Sequence, residues 1–106
     1  MFQWFFNLFK RRLDLISRSG KWPTLRKKFL EANPICAVCG TKKNLEVHHV
    51  VPFSIDRSKE LDEKNLIVLC DERCHLLFGH LMFFASHNPH VREDAKIWAK
   101  KIENRP

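Results

Sequence analysis

The chain has 106 residues and a formal net charge of +7, from 19 Lys/Arg against 12 Asp/Glu, together with four cysteines and nine phenylalanines. That length gives one domain with extensions, whose small core a bound metal would help to stabilise. The basic balance suits a polyanionic partner, of which nucleic acid is the commonest, as well as a plain solvated surface; no apolar run is long enough to span a bilayer.

The charge is uneven. Residues 1–35 carry eight Lys/Arg against two acids, residues 36–74 six against seven, and residues 75–106 five against three. Phe2, Phe6, Phe9, Leu13 and Ile16 recur at steps of four and three, which predicts an amphipathic helix, with Gln3, Asn7, Lys10 and Asp14 opposite. Trp4, Phe5 and Leu8 widen the apolar side beyond what a solvated helix needs, so it should pack on the domain, on a second copy or on a protein partner; Lys10-Arg11-Arg12 also allows a membrane surface. The first residues are apolar and basic ones follow, the reverse of a secretory leader. Four cysteines in such a chain read as thiols or metal ligands in a reducing, cytoplasmic compartment. A linker around Gly20 divides this helix (residues 1–20) from a domain over 21–106.

Trp22-Pro23-Thr24 opens a second helix, with proline tolerated in a first turn, and Asn33 before Pro34 ends it. Cys36-Ala37-Val38-Cys39-Gly40 is a tight knuckle. Leu45 to Val51 reads as a strand holding the adjacent pair His48-His49, and Pro52 to Asn65 as a polar loop. Leu66-Ile67-Val68-Leu69 is a second strand, apolar throughout and so covered on both faces. Cys70 to Cys74 turns into a helix from about His75 to Ala85, which Ser86-His87-Asn88-Pro89 breaks. Val91, Ala95, Trp98 and Ile102 stripe a last helix over 89–103. The fold class is small α+β.

Structural zinc takes four ligands in a tetrahedron, with thiolates at about 2.3 Å. Cys36-x2-Cys39 and Cys70-x3-Cys74 each bring two sulfurs together on one turn, and the thirty residues between them accommodate a two-stranded hairpin. All four cysteines are therefore expected on one zinc. Buried free thiols are the alternative.

The order Cys-x2-Cys, Leu-Glu-Val-His-His-Val-Val-Pro, Asn65-Leu66, Leu69-Cys70 and Cys74-His75 resembles the HNH endonucleases over residues 34–85, and the Cys-His-Leu-Leu-Phe-Gly-His run is similar to small phage members. The resemblance implies a ββα-metal motif built around a zinc knuckle and a metal-dependent hydrolysis of DNA that leaves 5′-phosphate and 3′-hydroxyl ends. It implies His49 as general base and His48 as ligand of a divalent ion, Mg²⁺ or, on a histidine-rich site, Mn²⁺, Ni²⁺ or Zn²⁺. His75 would be a second ligand, His80 a third, and Asn65 would orient the base and loop by hydrogen bonds. Hydrolysis needs both a base and a charge-stabilising group, which these residue types supply.

Two points of geometry are set by spacing. Neighbouring strand residues point to opposite faces, so His48 and His49 share a site only on a bent strand or across a substrate phosphate. Five residues separate His75 from His80, about 140° apart on an ideal α-helix, and Gly79 leaves room for a bulge. Arg57, Arg73 and the basic helix faces are candidates for phosphate contact, and His87 and His90 for solvated loop positions. The competing class is a non-catalytic zinc-knuckle module binding nucleic acid or protein, with an accessory role in phage DNA packaging as a variant; the His pair favours the enzyme.

Overall fold

Side-chain alternation on a pair of short strands organises the molecule. The computed structural model describes residues 19–106, so the Phe2–Ile16 helix lies outside the described residues. Strand β1 (Leu45–His49) pairs antiparallel with β2 (Leu66–Cys70), setting His48 opposite Ile67 and His49 opposite Leu66. Helix α1 (Trp22–Ala32) precedes them and α2 (Val91–Glu103) follows, giving a small α+β fold.

Leu66 and Val68 of β2 face one way and Ile67 and Leu69 the other, while Cys70, at the strand's end, turns to the knuckle side. Leu66 and Val68, with Val47 of β1, pack beneath Trp22, Leu25, Phe29 and Leu30 of α1. Ile67 and Leu69 pack on the other side against Cys36, Val38, Cys70 and Cys74, closed by Val91 and Ala95 of α2. All five residues of β2 are consequently buried, as their unbroken apolar run predicts.

Local chemistry sets the boundaries. Pro23 sits in the first turn of α1, and the Asn33 N–H bonds Phe29 O at 2.9 Å before Pro34 stops the helix. Glu93 and Asp94 in the first turn of α2 and Lys100 and Lys101 in its last complement the helix dipole. Arg92 ties α2 to β2 by donating to the carbonyls of Leu66, at 3.0 Å, and Lys64. The apolar stripe of α2 is only partly used. Val91 and Ala95 are buried, whereas Trp98 stays 46% exposed, with its ring 5.8 Å from that of Phe78.

Three elements differ from expectation. β1 ends at His49 rather than Val51: Val50 N–H still bonds Asn65 O (2.8 Å) in register, but Asn65 N–H turns to Asp62 O (2.9 Å) instead of returning the bond, and Val51 N–H bonds the Asn65 side chain (2.8 Å). The 52–65 loop contains two 3₁₀ turns, Arg57–Lys59 and Glu63–Asn65, started by the Asp56 and Asp62 side chains. The helix expected over His75–Ala85 is a single π-helical turn, His75–Gly79. Leu81 and Met82 then take left-handed φ values of 53° and 71°, and no right-handed helix continues through such residues.

Leu69 is fully buried at the centre of this core. Leu69→Ala should lower the unfolding free energy by about 2–5 kcal/mol, read by urea denaturation, while Lys96→Ala on the exposed face of α2 should change it little.

Candidate active site and metal centres

The knuckle forms because Gly40 adopts φ +75° and donates its N–H to Cys36 O at 3.0 Å. Ala37 N–H bonds Val68 O (2.9 Å), which fastens the turn to β2 and carries Cys36 and Cys39 towards Cys70 and Cys74. All four cysteines are free thiols, and their Sγ atoms lie within 4.8 Å of one another. A tetrahedron with metal–sulfur bonds of about 2.3 Å has edges of about 3.8 Å; the Cys39–Cys70 Sγ–Sγ distance is 3.8 Å.

The charges agree with a cation there. Burial pushes the Cys39 thiol up, but hydrogen bonds from the Thr41 backbone, Arg73, Cys36 and Cys70 outweigh it and bring it down to about 7. Burial, with Cys70 and Cys36 alongside, pushes Cys74 well up. Four crowded sulfurs ionise together only around a positive centre, and a divalent ion supplies one.

A second cluster forms across the sheet edge. His48 projects from β1 between His75 and His80, the first residue of the π-turn and the residue just after it. Ring nitrogens of the three lie within 4.8 Å of one another, and the ring centroids are 4.8–5.1 Å apart. The five-residue step that would splay these rings on an α-helix aligns them on a π-turn, whose hydrogen bonds span five residues.

Outer partners settle the tautomers. His80 Nδ1–H donates to Ser86 O (2.7 Å), and His75 Nδ1–H points to the Asp71 carboxylate (3.4 Å). Each Nε2 then carries a lone pair, and these two atoms face each other at 3.2 Å. Nε2 of His48 is buried and has no hydrogen-bond partner among the described residues. Burial, then the neighbouring His75, His80, His49 and His87, holds His48 at about 3, so its ring is neutral at physiological pH. Three imidazoles converging on one point, two of them held from behind by Ser86 O and Asp71, fit a divalent transition-metal ion.

His49 leaves the opposite face of β1. Its ring stacks on Trp22 (centroids 4.5 Å), and its Nε2 lies 3.0 Å from Glu60 O. A carbonyl only accepts, so Nε2 holds the proton and Nδ1 the basic lone pair. Both histidines nevertheless line one cleft of about 330 Å³, together with Trp22, Arg26, Glu46, Val47, Pro52, Phe53, His75 and His80. Residues from both faces of β1 line it, so it wraps the strand's outer edge.

Asn65 is buried and bound at every side-chain atom that can bond. Its amide donates to Val51 O and Lys59 O (both 3.1 Å), and its Oδ1 accepts from Val51 N–H. It thereby closes the 50–65 loop that brings Glu60 O to His49. Arg57 lies outside the cleft lining, with its guanidinium 5.7 Å from the Phe53 ring centroid. Arg73 bonds the Cys39 sulfur. His90 is exposed and His87 half-buried.

Four contributors escaped the sequence reading. Arg26, there only one cation on a helix face, lines the cleft and is held by Glu46 at 3.2 Å. Gly79, expected only to leave room for a bulge, has a contact that was not foreseen: it lies so close to His48 that a Cβ there would sit 3.0 Å from the ring. The Glu60 carbonyl orients His49, a backbone role with no residue signature. Asn88, buried, donates to Phe78 O (2.9 Å) and Asp94 (2.7 Å) and anchors the segment after the π-turn.

A short antiparallel pair, a following helical turn and two clusters of soft or borderline donors define a small metal-binding α+β domain. Residues 36–80 match the family model described as HNH endonuclease. The match suggests a nuclease-type function and a nucleic-acid partner, and the two clusters of cysteines and histidines could each hold a metal ion. No curated protein and no solved structure matches the chain. No helix among the described residues is long and apolar enough to cross a membrane.

Native mass spectrometry should find one zinc per chain that Cys36→Ala removes; a variant retaining it would refute the four-cysteine site. Gly79→Ala should force the His48 ring aside and weaken Ni²⁺ or Mn²⁺ binding at the histidines about tenfold to a hundredfold, read by calorimetric titration, with the zinc retained.

Proposed function

We propose that the protein is a metal-dependent DNA endonuclease, acting in the cytoplasm of a bacterial host and associated with a phage or mobile element. The observation that carries this reading is the single cleft flanked from opposite faces of β1, with His48 in a three-imidazole cluster and His49 held by Glu60 O. A binding module has no use for an oriented basic nitrogen beside a set of metal ligands.

In this reading, Nδ1 of His49 takes the proton from water as the water oxygen attacks phosphorus. The P–O3′ bond breaks, leaving 5′-phosphate and 3′-hydroxyl ends. Neutral His suits the task because its basicity falls near physiological pH. Glu60 O keeps the proton on Nε2, and Asn65 keeps Glu60 in place. His48, His75 and His80 would hold a divalent ion (Mg²⁺, or Mn²⁺, Ni²⁺ or Zn²⁺), which when bound stabilises charge on the phosphate and the departing oxygen. Arg26 is close enough to the cleft to clamp a phosphate oxygen by a charge-assisted bond. A zinc on Cys36, Cys39, Cys70 and Cys74 would be structural.

The reading is tested by incubating supercoiled plasmid with the protein and Mg²⁺, Mn²⁺ or Ni²⁺. His49→Ala should slow nicking by about 10²–10⁴-fold, and EDTA should abolish it. Failure to nick with any of these metals, or an unimpaired variant, would refute the mechanism.

A further inference from the structure

The π-turn leads into a feature that the cleavage chemistry does not use. Leu81, Met82, Phe83 and Phe84 are consecutive, apolar and 55–66% exposed. Four such side chains in a row facing water are unfavourable unless something covers them. The backbone is also constrained, since Leu81 and Met82 both hold positive φ without being glycine. Strain of that kind persists only where the surroundings impose it, and it gathers at functional positions.

The surroundings here are explicit. Met82 N–H reaches back to Leu76 O (2.9 Å), Phe83 N–H bonds His80 O (3.1 Å), and Asn88 N–H bonds Gly79 O (3.0 Å). The Ser86 hydroxyl closes the base of the loop on His80 O and Phe83 O. The result is a braced tip with its apolar side chains turned outward.

Its place identifies the occupant. The Phe84 ring lies 5.2 Å from His80 and 6.1 Å from His75, so the tip adjoins the histidine cluster. A DNA phosphate drawn into that cluster brings the bases of its own step within a side chain's reach of the tip. Phe, Leu and Met are the residue types that wedge between base pairs, and the tip directly follows the stretch whose HNH match points to a nucleic-acid partner.

We propose that Leu81–Phe84 is an apolar wedge that inserts between DNA bases beside the phosphate held at His48, His75 and His80. The inference rests on the endonuclease reading for the position of that phosphate. Unstacking costs least at flexible or mispaired steps, so the wedge would favour those as substrate.

The test separates wedging from cleavage. A duplex with 2-aminopurine at alternate positions is titrated with His49→Ala protein, and with the same protein carrying Phe83→Ala or Phe83→Ala/Phe84→Ala. Plasmid nicking by the wild type, measured separately, reports on the endonuclease reading alone. Binding by the His49→Ala protein should raise the fluorescence, and the double alanine variant should lose most of that rise and bind about tenfold more weakly, the scale of one lost base–aromatic stack. A mispaired duplex should restore part of the affinity. Phe83→Ala alone, at the most exposed of the four positions, should show the same loss in smaller degree with zinc and Ni²⁺ binding unchanged. Absence of DNA binding, binding without a rise, or an equal rise in the alanine variants would overturn the proposal. So would sedimentation showing a dimer that the alanine variants dissolve, since a second copy would then cover the tip.

Discussion

The structure depends on one register. Because His48 stands opposite Ile67 and His49 opposite Leu66, adjacent imidazoles leave β1 on opposite faces. A slip of one residue would exchange them, sending His48 to Trp22 and His49 to the π-turn. What prevents the slip is the burial of β2 on both sides, with Leu66 and Val68 under α1 and Ile67 and Leu69 against the knuckle and α2. Register, core and cleft are therefore one problem with one solution. The strand needs no bend to bring both rings to one cleft, because the cleft runs round the edge of β1 that faces away from β2.

Around that register the molecule keeps its polar groups oriented from behind. Ser86 O, Asp71 and Glu60 O each fix the proton of one imidazole, so the opposite nitrogen is the one with a lone pair. Asn65 and Asn88, both buried, do the same for backbone, closing the loops on either side of the cleft. Tautomers fixed in this way leave the ring nitrogens little to reorganise when a cation or a water is bound. The knuckle contributes differently. It carries little of the cleft but joins the turn before β1 to the end of β2, and in a core this small a metal clip is a large share of stability.

The π-turn links the histidine cluster to the apolar tip. It brings a five-residue pair of histidines onto one side, and it ends in left-handed residues that turn four apolar side chains to solvent. Both effects come from the same departure from α-helical geometry. π-turns are uncommon and often occur at functional positions.

The sequence by itself determined the parts whose signals are local. Cysteine spacing, the proline-bounded α1, the unbroken apolar β2 and the striped α2 all act within a few residues, through turn geometry and periodicity. Adjacent imidazoles in a β-branched run marked the place of the cleft in the same way. Tertiary structure alone decided the rest. Cys70 joins the other thiols because β2 ends against the knuckle. β1 stops early because Asn65, opposite Val50, gives its own N–H to Asp62 O and its side chain to Val51. The expected helix after Cys74 shrinks to one wide turn, since a periodicity count cannot see the Gly79 backbone pressed against His48. Arg26 reaches the cleft because α1 crosses Val47, and Glu60 O reaches His49 because a buried asparagine closes a loop. Each of these contacts is a long-range competition for hydrogen bonds or space, and its outcome is written in no short stretch of chain.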